Sequence, residues 1–122
     1  MTLEFLAPVP AWSLNQERAK HWSWRAKRAK EWHTAAMWAW SVLPKTVRLD
    51  WVQHPCTVRV FLPVSGNRRR DPHNWIPAVK AIIDGLVERG VWPDDTPKWV
   101  TVAEPVLEVR DDGMVRVELE AR

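Results

Sequence analysis

A chain of 122 residues with 18 basic and 15 acidic side chains, formal charge +3, has the size of one domain, and residues 1–122 are read as a single unit. A domain this long buries roughly two-thirds of its unfolded surface and needs no covalent staples, and the lone Cys56 excludes an internal disulfide framework. No apolar run reaches the ~18 residues of a membrane span, and MTLEFLAPVPAW lacks the basic start and long apolar stretch of a secretory leader, so a soluble cytoplasmic protein is expected.

Residues 2–7 read as a short strand ending at Pro8 and Pro10. Ser13 or Asn15 is positioned to cap the next element, with Glu17 in its first turn. From Glu17 to Leu43 the pattern is helical. Trp22, Ala26, Ala29, His33, Ala36, Trp40 and Leu43 share one stripe at three- and four-residue spacing. Lys20, Trp24, Lys27, Glu31 and Trp38 fall on the opposite face, which places two of the ten tryptophans off the core: under a loop, at a subunit contact, or on a surface for DNA. Pro44 closes the helix.

Residues 55–63 alternate as a strand with Val58, Val60 and Leu62 on one side, followed by a loop over 65–70. A second helix is predicted from about Trp75 to Arg89, capped by Asn74, with Pro77 in its first turn and Ile76, Val79, Ile83 and Leu86 as its buried row. Gly90 is a natural C-terminal stop. Two strands follow, about 99–109 and 114–120, joined as a hairpin at Asp111-Asp112-Gly113. The predicted fold is α/β: one small mixed sheet with two helices, in the order β-α-β-α-β-β.

Positive charge is clustered. Arg18, Lys20, Arg25, Lys27, Arg28 and Lys30 occur without an acid between positions 18 and 30, and Arg68-Arg69-Arg70 precede Asp71. Such clusters suit a polyphosphate partner, although a solvated helix face gives the same pattern. The densest chemistry lies in RRRDPHNWIPAVKAIIDGLVERGVWPDD, residues 68–95. Asp71 stands just before a helix, His73 and Asn74 at its start, Lys80 and Asp84 one turn apart on it, and Asp94-Asp95 beyond its end. Each piece alone has an ordinary structural explanation: a turn, a cap, an exposed ion pair. Together they form the kit that phosphodiester hydrolysis needs. Carboxylates bind Mg²⁺ through oxygen, the metal activates water, a lysine neutralises charge built up in the transition state, and arginines hold neighbouring phosphates.

The succession RRRD-x-x-N, K-x-x-x-D-G-L and G-V-W-x-D-D resembles the signature of RusA-like crossover junction endodeoxyribonucleases of bacteria and their phages. The segment Leu14-Asn15 with Arg18, His21 and Trp22 is similar to the family's N-terminal region, so the resemblance runs over nearly the whole chain. It implies a Mg²⁺-dependent homodimer that cuts four-way (Holliday) DNA junctions at symmetric positions, with no nucleotide cofactor. On this resemblance Asp71, Lys80 and Asp95 are the catalytic residues, and Asp71, Asp95, Asp94, His73 and Asp84 are the candidate metal ligands. DNA is expected on Arg68, Arg69, Arg70, Asn15, Arg18, His21, Lys27 and Arg28. The chain departs from the pattern twice. His73 stands where the family's D-x-D-N has a second aspartate, and an imidazole favours Mn²⁺ over Mg²⁺. The spacing from Asn74 to Lys80 is also longer by about three residues, close to one helical turn. A DNA-binding dimer that lost catalysis through His73, or a nuclease for other branched DNA, are the alternative expectations.

Overall fold

The computed structural model describes residues 1–8, 21–65 and 71–122. Its elements are β1 (Thr2–Leu6), α1 (Trp22–Ser41), α2 (Lys45–Trp51), β2 (Cys56–Val64), a single 3₁₀ turn (Pro72–Trp75) running into α3 (Ile76–Glu88), β3 (Val100–Val102), β4 (Val106–Val109) and β5 (Met114–Ala121). The fold is mixed α/β, as the hydrophobic periods predict.

β2 is the centre of a five-stranded sheet. One edge pairs antiparallel with β5, which pairs antiparallel with β1. The other edge pairs in parallel with β3 along residues 56–58 and with β4 along 61–64. The alternation read in β2 holds: Cys56, Val58, Val60, Leu62 and Val64 are buried. The register puts Leu3, Val117 and Val60 side by side across three strands, which gathers the apolar residues on one face. Against that face pack Trp32, Ala36 and Trp40 of α1 and Val79, Ile82, Ile83 and Leu86 of α3.

The last two strands do not form a hairpin. β4 and β5 lie on opposite edges of β2, and the chain passes the end of β2 between them, with the Arg110 amide donating to the Val64 carbonyl at 3.0 Å. The predicted turn does exist: the Asp112 carboxylate accepts from the Met114 amide at 3.0 Å and from Arg110 at 2.5 Å, and Gly113 has φ +68°. What differs is the partner. β2 is long and apolar, and its insertion gives both β4 and β5 a buried neighbour while leaving β2 no open edge. The predicted strand 99–109 is likewise two strands, broken at residues 103–105 by Pro105, which has no amide for a ladder.

α1 begins, among described residues, at an N-cap formed by His21, whose Nδ1 accepts from the Ser23 amide at 3.2 Å. Its buried face is turned from the predicted stripe. Trp32 is buried, meeting Phe5 edge-on at 6.1 Å, whereas Trp22 is 67 % exposed and Ala26 is exposed. Sinking the largest apolar group sets the face, and Arg28, one turn before Trp32, goes in with it. α2 was not predicted. It buries no residue, so it leaves no apolar stripe in the sequence.

Candidate functional site

α3 begins at Ile76, within a residue of the start its amphipathic pattern predicts, and the 3₁₀ turn Pro72–Trp75 runs into it. Asn74 does not cap α3, whose N-cap position is Trp75 without a side-chain bond; Asp71 instead caps the preceding 3₁₀ turn, its Oδ1 accepting from the His73 amide at 3.0 Å. At the other end Gly90, φ +84°, closes the helix with the Gly90 amide donating to Val87 and the Val91 amide to Leu86, the paired bonds of a Schellman stop. Val91 and Trp92 are then buried, and the Trp92 indole donates to the His54 carbonyl at 2.8 Å. This anchor folds the chain back along α3 and sets the Asp94-Asp95 turn beside it.

The return creates a cleft of about 360 Å³ between α3 and the broken sheet edge. Ile76, Val79 and Ile83 form its apolar wall on the helix, and Val102 and Pro105 face them. The polar groups in it are His73, Lys80, Asp95 and Glu104, all exposed. Three of these four were expected at a common site. Ile76, expected in the buried row, is 44 % exposed because it lines this cleft. Glu104 was not expected. It lies in the gap between β3 and β4, where the chain leaves β2 after the Ala103 amide donates to Val58 at 2.8 Å, and its Oε1 is 3.3 Å from His73 Nε2. The sequence signal for it was Pro105, a strand breaker inside an otherwise continuous apolar run.

The remaining candidates separate. Asp71 lies two residues from His73 at the helix entry but does not line the cleft. Asp84 is half-buried one turn beyond Lys80 and does not line it either. Asp94 points into its own turn, where its Oδ1 accepts from the Thr96 amide at 2.9 Å and the Thr96 hydroxyl at 2.6 Å, and the hydroxyl above all holds the carboxyl below the usual range. Thr96 thus engages one of the two Asp94 oxygens, and Asp94 does not line the cleft. Among the described residues no three carboxylate, imidazole or thiol groups gather closely enough to enclose an ion.

Of the expected DNA contacts, Arg68, Arg69, Arg70, Asn15 and Arg18 lie outside the described residues. His21 and Lys27 are exposed. Arg28 is not: it is 5 % exposed, paired with Glu31 at 2.7 Å and stacked 5.5 Å from the Trp24 ring centre, and its Nε has no hydrogen-bond partner. A guanidinium enclosed in this way is part of the packing of α1 and is not presented to a phosphate. No protein-family model and no curated protein matches the sequence.

Proposed function

We propose that the chain is a metal-dependent endodeoxyribonuclease that acts on four-way DNA junctions as a homodimer. The observation that carries the reading is that Lys80 on α3, His73 in the turn before it and Asp95 in the turn after it line one cleft, within the same sequence segment that holds Asp71. Lys80 forms no ion pair among the described residues, so its ammonium is available to an incoming phosphate. The resemblance to RusA-like enzymes supplies the junction and the two-fold arrangement, since a symmetric junction suits a C2 dimer.

The donors fit a hard divalent cation in kind. Asp95 and Glu104 offer carboxylates within the cleft, His73 offers an imidazole, and Asp71 stands at the helix entry with Oδ2 unengaged. Asp71 and Asp95 would hold Mg²⁺, and the imidazole makes Mn²⁺ at least as suitable. When bound, the ion supplies an activated water and neutralises charge on the phosphate. Lys80 places a positive charge where the departing oxygen becomes negative. Glu104 lies 3.3 Å from the His73 ring at the mouth of the cleft.

The test is nicking of a synthetic four-way junction with Mg²⁺ and Mn²⁺ in parallel. Asp71→Asn and Asp95→Asn are expected to bind the junction without cutting it. A wild-type protein as inactive as Asp71→Asn in both metals would remove the catalytic claim. One observation favours a second reading, a junction-binding dimer without catalysis: no three metal-type groups gather among the described residues, and His73 lies where a carboxylate is expected. Cleavage gained by His73→Asp would identify that reading as correct for the natural chain.

A further inference from the structure

Away from the cleft, α1 carries a side that the proposed chemistry does not use. Lys27, Lys30, Thr34 and Trp38 follow one another at spacings of three, four and four, so they share one face of the helix. Trp38 is 66 % exposed, an unusual position for so large an apolar ring. Two hollows meet at it. One, of about 670 Å³, runs back along Lys30 and Lys27, and the other, of about 350 Å³, extends to Arg89 at the end of α3.

The charge on this face is one-sided. Lys27, Lys30 and Arg89 form no ion pair among the described residues. The two nearby acids are already engaged, Glu31 with Arg28 at 2.7 Å and Glu88 with His33. We infer that the α1 face is a second polynucleotide-binding surface, which stacks an unpaired base on the Trp38 indole and takes neighbouring phosphates on Lys27, Lys30 and Arg89.

Two features select this occupant. From Lys27 to Trp38 the helix rises about 16 Å, long enough to follow a few successive phosphates of one strand. An exposed indole among cations is the pairing that single strands use, because every base has a π-face to stack. A second copy of the same face would set like charges against each other, and a duplex would present no free base. The choice of a polynucleotide rests on the reading of the cleft, but the test does not depend on cleavage.

Binding of a labelled oligothymidylate and of a duplex of equal length is measured by anisotropy over a salt series with the full chain. Trp38→Ala is expected to weaken single-strand binding roughly 5- to 100-fold and to leave duplex binding unchanged, with Trp38→Phe retaining most of it. Lys27→Gln with Lys30→Gln is expected to reduce the slope of log affinity against log salt by about 1.4 for the single strand. This double variant leaves Trp38 in place, so it reads the surface even if Trp38→Ala fails to fold. Single-strand binding by folded Trp38→Ala equal to wild type overturns the surface, as does a salt slope unchanged in the double variant. Light scattering that shows Trp38→Ala dissociating an oligomer also overturns it, since the face would then be a contact between copies. Loss of strand binding in Trp38→Ala from a wild type that cuts no junction keeps the surface and removes the nuclease reading. A wild type that cuts, with Trp38→Ala binding strands equally well, removes the surface alone.

Discussion

The two sides of α3 follow opposite rules. Toward α1 the helix is closed. Gly85 lies so near the crossing that an added Cβ would stand 2.5 Å from the His33 carbonyl oxygen, and Glu88 is tied to the His33 ring. Toward the broken sheet edge it is open, and Lys80 faces the cleft without an ion pair among the described residues. The closed side is backbone against backbone and allows no adjustment. The open side is set by side chains whose positions come from the scaffold rather than from each other. The lysine is therefore placed by packing on the far side of its own helix, where Gly85, Leu86 and Ile82 are buried.

Substitutions that separate the two sides test this division. The largest effect belongs to the closed side. Gly85→Leu forces α1 and α3 apart at a backbone carbonyl, so a loss of about 4 kcal/mol is expected, the upper end for single substitutions, read from urea unfolding. A value below about 1 kcal/mol would mean that the crossing yields easily. On the open side the pattern inverts. Lys80→Met is expected to leave the melting temperature nearly unchanged, as for an exposed residue, while lowering the proposed junction cleavage roughly 10²- to 10³-fold. A melting temperature that falls with the activity would place Lys80 in the packing instead.

Between these extremes stands the link that brings Asp95 to the cleft. Trp92→Phe removes the indole donor from the half-buried His54 carbonyl, which keeps only the weaker Cys56 Sγ donor, and leaves a small void, for a loss of about 2 kcal/mol. Because Trp92 lies three residues before Asp95, cleavage is expected to fall as well, and by more than the loss of folded protein explains at a temperature where the variant is fully folded. Circular dichroism alongside the cleavage assay distinguishes the two contributions.

The sequence was most legible where burial is strong and local. β2 and α3 carry clean periods, and both were placed to within about a residue. The cleft set of His73, Lys80 and Asp95 was legible because each lies at an end or on a face of α3. Other features depend on partners distant in the chain. β4 and β5 look like a hairpin because a turn of the right chemistry joins them, and only the competing demand of β2 for two neighbours separates them. The stripe of α1 was read from spacing alone, and Phe5 on β1 decides that Trp32 goes inward and takes Arg28 with it. Glu104 has no motif of its own. It reaches the cleft because Pro105 breaks the edge strand, and a broken edge says where a side chain leaves the sheet, not what it meets.

The smallest expected effect concerns the neighbours Asp94 and Asp95, which one motif treats as a pair and the structure treats as opposites. The Thr96 hydroxyl and amide hold the Asp94 carboxyl below its ordinary range. A carboxyl depressed in the folded state adds stability above its unfolded pKa and loses it as the pH falls through the folded value. Wild type should therefore become less stable, relative to Asp94→Asn, as the pH drops below the ordinary carboxylate range. Asp94→Asn keeps an oxygen for Thr96 but has no proton to bind, so the two acid limbs should converge at the lowest pH. Asp95 has no hydrogen-bond partner among the described residues and lines the cleft. The same pair separates in the metal titration of the proposed activity. Asp94→Asn should respond to Mn²⁺ at the wild-type concentration, because its oxygen already belongs to Thr96, whereas Asp95→Asn should not respond. Equal loss in both variants would return Asp94 to the metal and make its bond to Thr96 a resting state of the turn.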